Sequence, residues 1–276
     1  LTAGTVVDAD EASRPSATIV SAWLTHLRSD DRERRSPGRI VLRVDRRRSS
    51  CGEEGYELAI GPERVVLRAP TAAGIFHGIQ TLRQLLPPEV ESGYATSTIA
   101  WELPRVRIVD RPRFGWRGMH LDVSRHFFPV PEVKHYLDLM ALFKFNTFHW
   151  HLTDDGGWRL PSRAYPRLNQ VGSWRRATGD GWDVAKLDFT PGGPGGSAYG
   201  GFYSADDIRD VVAYAAARHI QVVPEIDLPA HCLPVLSGYP ELACTPERDA
   251  APIRRRNVVL CPGNPATLRF IESVLS

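Results

Sequence analysis

The stretch "FNTFHWHLTDDGGW" (145–158) decides the fold, because it runs from alternating aromatic residues into a polar loop closed by glycines. "FNTFHWHL" (145–152) reads as a strand. Phe148, Trp150 and Leu152 share one face of it, and His149 and His151 share the other. Working outward, "WRGMHLDV" (116–123) and "IQVVPEIDLP" (220–229) also read as strands. Between them, "PEVKHYLDLMALFK" (131–144) is a helix with Pro131 in its first turn and Val133, Leu137 and Met140 on one side. "SADDIRDVVAYAAARH" (204–219) is a second helix, capped by Ser204, with Asp207 forming a weak variant of the capping box. "NPATLRFIESVLS" (264–276) begins a third.

Strand and helix alternating three times is the order of a parallel sheet with crossover helices. Asp122, Arg125, Asp154, Asp155, Glu225, Asp227 and His231 all fall at the C-terminal end of one of these strands or in the loop that follows. In a (β/α)8 barrel that rim carries the active site. Such a barrel takes about 250 residues and at least about 200, whereas 113–276 supplies 164. The expected fold is therefore α/β: an α+β domain over 1–112, then the first three β/α units of an incomplete (β/α)8 TIM barrel over 113–276, truncated at its C-terminal side.

The α+β reading of 1–112 rests on a helix across "ASRPSATIVSAWLTHL" (12–27), which ends before the charged run Asp30 to Arg35. Short β-type runs follow at 39–44, 56–60 and 64–69. In "TAAGIFHGIQTLRQLLPP" (71–88), Thr71 is an N-cap, Ile75, Ile79, Leu82 and Leu86 recur at helical spacing, and Pro87-Pro88 stops the helix. The glycine-rich stretch 190–204 reads as a connector, since so many glycines raise the cost of ordering it.

Net charge of +2 gives no reason to expect a nucleic-acid partner. No window reaches the 18 or so apolar residues of a membrane span, and the first residues lack the charge-then-apolar pattern of a signal peptide. The chain begins at Leu1 and reads as a processed product or a piece of something longer. Its four cysteines form no C-x-x-C pair. Cys244 and Cys261 bracket a loop that a disulfide can close, and the alternative is two reduced structural cysteines.

Two chemistries suit the rim residues. His-x-His at a strand end can point two imidazoles at one metal ion, with Asp154, Asp227 and His231 as further ligands, as in metal-dependent barrel hydrolases. A sugar site instead needs carboxylates and an arginine fork for hydroxyl groups, which Arg125 supplies, and a hydrogen-bonded Asp154, Asp227 and His231 chain to tune charge.

The run "WRGMHLDVSRHFFPVPEVKHYLDLMALFKFNTFHWHLTDDGGWRL" (116–160), with "RHIQVVPEIDLPAH" (218–231), resembles the family 20 glycoside hydrolases, the β-N-acetylhexosaminidases. "GYELAI" (55–60) and "AGIFHGIQTLRQLLP" (73–87) look like that family's non-catalytic first domain. The resemblance implies that Arg125 binds the C3 and C4 hydroxyls of the terminal sugar, and that Asp154 and His231 form a hydrogen-bonded pair supporting the catalytic acid. It gives Asp227 a supporting place in the same strand-end motif. Cys244 and Cys261 fall where similar enzymes have a disulfide. It further implies cleavage of terminal GlcNAc or GalNAc from glycans or chitin oligosaccharides, without a metal or other cofactor, in a secreted, periplasmic or lysosome-like compartment. The reaction would be retaining, with the substrate's own acetamido oxygen as nucleophile.

The family's acid is the Glu of an adjacent Asp-Glu pair, expected after the helix that begins near Asn264, and this sequence holds no Asp-Glu beyond residue 11. The chain alone is therefore expected to be inactive. A non-catalytic carbohydrate-binding or pseudoenzyme product and a metal-dependent barrel hydrolase remain as alternatives.

Overall fold

In the computed structural model, residues 1, 4–25, 38–91, 102–176, 187–191, 198–245 and 259–276 are described. The charged run Asp30 to Arg35 lies outside them, as do residues 192–197 and 246–258 of the two long loops. The chain divides into two compact units, one of Leu1–Arg117 with Asp138–Asn146 and Ala217–His219, the other of Gly118–Leu137 with Thr147–Ala216 and Ile220–Ser276.

The first unit runs β1 (Val6–Ala9), α1 (Arg14–Leu24), β2 (Arg39–Val44), β3 (Tyr56–Ile60), β4 (Arg64–Ala69), α2 (Ala72–Gln84) and β5 (Val106–Asp110). Its sheet has the order β1-β2-β4-β3-β5. β1, β2 and β4 are parallel, and β3 is antiparallel to β4 and β5. Register places Ile40 beside Val65, and Leu42 and Leu58 on either side of Leu67. All five are buried, and each such side chain contributes roughly 1.5–3 kcal/mol. Helix α2 covers this layer with the fully buried Ile75, Ile79 and Leu82, and Thr71 caps it by accepting from the Gly74 N–H. A Cβ at Gly78 would stand 2.3 Å from Leu67 Cδ1, so glycine is what lets the helix lie so close. The edge strands β1 and β5 were not expected from the sequence; β1 is four residues long, and β5 buries none of its residues.

The second unit runs β6 (Gly118–Asp122), α3 (Val130–Leu142), β7 (Thr147–Asp154), β8 (Gly157–Trp158), α4 (Arg167–Gln170), β9 (Trp174–Arg175), β10 (Tyr199–Gly200), α5 (Ala205–Ala216), β11 (Gln221–Ile226), α6 (Leu233–Gly238) and α7 (Pro265–Leu275), with the final turns of α3 counted in the first unit. β7 is central, parallel to β6 on one side and β11 on the other. It runs two residues further than its apolar pattern suggested, to Asp154, because Asp155-Gly156 turn the chain so that β8 pairs back on it. Phe148, Trp150 and Leu152 are buried, and Trp150 packs on Tyr203 at 4.7 Å between ring centroids. Ser204 and Asp207 cap α5 reciprocally: Asp207 N–H donates to Ser204 Oγ, and Ser204 N–H to Asp207 Oδ2. Among the described residues no helix is long and apolar enough to cross a membrane.

Candidate active site

Period-two alternation sends Met119, Leu121, Phe148 and Trp150 to one face of the second unit's sheet, and His120, Asp122, His149, His151 and Glu225 to the other. Register then sets Asp122, His151 and Glu225 side by side across β6, β7 and β11, with His120 beside His149 one step earlier. This polar row at the strands' C-terminal ends is the floor of the site.

Asp154, at the end of β7, is nearly fully buried and is the hub. Its Oδ2 accepts from Arg125 Nη2 at 2.7 Å and lies 3.0 Å from His151 Nε2. Its Oδ1 accepts the Asp155 N–H at 2.6 Å and lies 3.2 Å from His231 Nδ1. Burial alone would raise this carboxyl, but the bond from His151, the Asp155 N–H and the charges of Arg125 and His231 hold it below the usual carboxylate range. Arg125 is fixed from both sides, its Nη1 donating to Asp122 Oδ2 at 2.7 Å. Asp122 also accepts the N–H groups of Ser124 and Arg125, so the loop after β6 wraps on its own strand's last side chain.

His231 reaches Asp154 and also Asp155, whose Oδ2 is 3.1 Å from the same Nδ1. The pair expected from the sequence is thus a three-membered contact. His231 has φ of 49°, a left-handed conformation costing roughly 1–2 kcal/mol for a non-glycine residue, and it is held there with the imidazole over the two carboxylates. Burial works against its proton, yet Asp154, Asp155 and Asp227 raise its pKa above the ordinary histidine value. Asp227 joins the cluster with a carboxylate oxygen within 4.8 Å of His151 and Asp154, and its backbone N–H donates to Thr153 Oγ1. Partial burial pushes its carboxyl up, and Asp154 and Glu225 push it further.

The rim loops are stapled by a residue the sequence reading passed over. Arg159 is completely buried, and its guanidinium donates to the carbonyls of Val123, Ser124, Ser173 and Gly201 at 2.7–3.0 Å. Burial beside Arg175 lowers its pKa to about 10. A Cβ on Gly156 would meet Arg125 Cα at 2.6 Å, and one on Gly157 would meet the Arg159 guanidinium at 2.4 Å. The two glycines of "DDGGW" therefore exist to let the loops close on each other. The described end of the 190–204 stretch is more than a connector: Gly201 accepts from Arg159, and Tyr199 Oη accepts the Phe127 N–H and bonds His126. Cys244 and Cys261 form a disulfide, with Cα atoms 4.7 Å apart. Next to it, Leu260 N–H donates to the Pro229 carbonyl in the loop that carries His231.

Three groups among the described residues have donor atoms close enough to one another for a metal ion: His120, His149 and Glu225; His151, Asp154 and Asp227; and Asp154, Asp155 and His231. Their donor atoms already face one another. Glu225 Oε2 lies 2.6 Å from His149 Nε2 and 2.5 Å from His151 Nδ1, and Asp154 is engaged by Arg125, His151 and His231. The arrangement is an ion-pair network with an arginine fork at its edge, suited to holding hydroxyl groups and to setting charge beside a proton-transferring group.

Two family models match in tandem: "Glycosyl hydrolase family 20, domain 2" over residues 1–111 and "Glycosyl hydrolase family 20, catalytic domain" over 114–276. A β-hexosaminidase of Vibrio furnissii is 35% identical over the whole chain, which covers 43% of that relative. One of Porphyromonas gingivalis is 43% identical over 81% of the chain and 27% of its own length. Among solved structures, the GH20 β-N-acetylhexosaminidase of Streptomyces coelicolor A3(2) superposes with TM-score 0.80 at 38% identity, covering all of this chain and 53% of that one. The N-acetyl-β-hexosaminidase of Streptomyces plicatus, in complex with thio-NAglucal, gives 0.78 at 37%, covering all of this chain and 52% of that one. The chain thus spans about half the length of these relatives or less. The second unit holds the first three β/α units of their barrel.

Proposed function

Because this chain belongs to glycosyl hydrolase family 20, we propose that the whole protein is a β-N-acetylhexosaminidase releasing terminal, non-reducing GlcNAc or GalNAc from glycans or chitin oligosaccharides. The observation that carries the reading is the Arg125–Asp154–His231 constellation: a guanidinium fixed by Asp122 and Asp154, and a buried carboxylate shared between it and a histidine. Arg125 binds the sugar's hydroxyls. Asp154 and His231 sit beside the catalytic acid and set its charge, and Asp227 supports them.

In this mechanism the 2-acetamido oxygen attacks the anomeric carbon as the leaving oxygen takes a proton, giving an oxazolinium ion that water opens with net retention. Holding the acetamido in place makes the attack intramolecular, which is worth orders of magnitude in effective concentration. The Asp-Glu pair that would protonate the leaving group and orient the acetamido is not among these 276 residues, so the chain alone carries half the binding rim and no acid. The domains we assign are 1–112 and 113–276. The Cys244–Cys261 disulfide fits an exported or lysosome-like setting.

The test compares the full-length protein with this chain on chromogenic β-N-acetylglucosaminide, β-N-acetylgalactosaminide and β-glucoside. Hydrolysis of the N-acetylated substrates by the full-length protein only, with the glucoside untouched, supports the reading. Equal rates on the glucoside, or turnover by the chain alone, would refute it.

A further inference from the structure

The proposed mechanism uses Arg125, Asp154 and His231, and leaves unexplained why the hub carboxylate stands in front of a buried histidine whose two nitrogens both face acids. His151 Nε2 lies 3.0 Å from Asp154 Oδ2, and its Nδ1 lies 2.5 Å from Glu225 Oε2, a close ion-pair contact. The second distance follows from register, since Glu225 is the cross-strand neighbour of His151 on β11, as Asp122 is on β6, whereas Asp154 stands three residues further along β7 itself. Resting on the function proposed above, we propose that Glu225 and His151 are positioning residues: Glu225 holds His151 as a fixed imidazolium, and that cation orients Asp154 and through it Arg125 and His231.

A carboxylate can only accept, so an imidazole facing one at each nitrogen carries a proton on both. One contact argues the other way. Arg125 Nη1 is 3.2 Å from His151 Nε2, where a donor would meet a donor. The nearer partner of each is a carboxylate, Asp154 at 3.0 Å for the ring and Asp122 at 2.7 Å for Nη1, so the carboxylates take the bonds and the two cations lie side by side. The surroundings support that charge. Asp122, Asp154 and Glu225 face the ring from β6, β7 and β11, and Asp227 brings a carboxylate oxygen within 4.8 Å of both the ring and Asp154. Against them are Arg125 and the rings of His120, 5.5 Å away, and of His149, which shares Glu225 Oε2. Burial alone would strip the proton, but Asp154 and Glu225 offset it and raise the pKa to about 9. A proton bound this firmly makes the ring a constant charge at neutral pH.

The experiment records ring-nitrogen NMR spectra of the full-length protein labelled with 15N-histidine, together with the kinetics of its variants. The expected result is that both His151 nitrogens are protonated at pH 7.5 and titrate near pH 9, with the midpoint falling by at least about one pH unit in Glu225→Gln and largely retained in Glu225→Asp. In the full-length enzyme, Glu225→Gln should raise KM several-fold more than it lowers kcat and move the alkaline limb of the pH profile downward, with Glu225→Asp restoring both. A neutral His151 accepting from Arg125 at pH 7.5, or a midpoint unmoved in Glu225→Gln, overturns the proposal, and the wild-type spectrum decides the first without any variant. If the full-length protein cleaves no N-acetylhexosaminide, the functional reading falls while the spectra still decide the protonation.

Discussion

Replacing Asp154 by asparagine keeps the volume of the side chain and one carbonyl oxygen but exchanges the other oxygen for an NH2. In the native arrangement four donors converge on the carboxylate: Arg125 Nη2, His151 Nε2, the Asp155 N–H and His231 Nδ1. An asparagine oxygen can serve one side of this set, so its NH2 must face donors on the other. The side chain is then neutral, and Arg125 and His151 each lose one of two counter-charges, keeping Asp122 and Glu225, in a site only 2% exposed. Removing one partner of a buried ion pair costs about 3–5 kcal/mol, and we expect that loss in urea unfolding of the chain at pH 7. The penalty has a pH signature. Above about pH 9 His151 no longer carries its proton, one of the two charges disappears, and the difference between wild type and Asp154→Asn should narrow. A loss below about 1 kcal/mol at pH 7, or one that does not change between pH 7 and 10, would mean that Asp154 is not the electrostatic hub and would refute the reasoning.

Other perturbations separate the supports of the site. Arg159→Met removes the guanidinium from four buried carbonyls, of which that of Ser173 keeps the Gly201 N–H, and at roughly 1 kcal/mol for each lost bond it should lower unfolding stability by about 3–5 kcal/mol; a change under about 1 kcal/mol would show that the rim loops do not depend on this staple. Reducing the Cys244–Cys261 bridge, whose cysteines are 17 residues apart, should cost about 3 kcal/mol from loop entropy, measured as the urea midpoint with and without reductant. Wild-type stability should itself depend on pH. His151 has a raised folded pKa, so its contribution is full below about 6.5, the ordinary histidine value, and is lost as pH rises through about 9, a fall of about 2–3 kcal/mol. Asp154 has a lowered pKa, so its contribution is lost on the acid side, as pH falls through its folded value. A flat profile between pH 6.5 and 10 would contradict the His151 assignment. In the full-length enzyme, Arg125→Lys should raise KM for an N-acetylglucosaminide at least about tenfold, because an ammonium cannot reproduce the planar fork; unchanged kinetics would remove Arg125 from the sugar's hydroxyls.

Alternation made the fold legible where a strand has one clearly buried face. The runs at 39–44, 56–60 and 64–69 were readable to the residue because Ile40, Leu42, Leu58, Val65 and Leu67 recur on one side. β1 and β5 were not, since edge strands bury too little to leave a pattern. The parallel β/α order of the second unit was readable from alternating periods of two and 3.6, and the rim from where the polar residues fell. Inside the rim, sequence could not say which acid meets which base. His149 and His151 read as one face of a strand and as a pair able to hold a metal, but only register shows His151 lying between Asp122 and Glu225. Asp155 reads as the second of two like carboxylates, and the left-handed turn at His231 is what brings it to that imidazole. Arg159 reads as an ordinary charged residue after a tryptophan, and its role emerges only when three loops present carbonyls to it. One signal was available in the text: Asp155-Gly156 is a hairpin dipeptide, and it foretells the turn that extends β7 to Asp154.

The stereochemistry of hydrolysis tests the central claim most directly. Followed by 1H NMR during turnover of a β-N-acetylglucosaminide by the full-length protein, a retaining, substrate-assisted site releases the β-anomer of N-acetylglucosamine first, with the α-anomer appearing only at the rate of mutarotation. Initial release of the α-anomer, or no release at all from a folded full-length protein, would contradict the account.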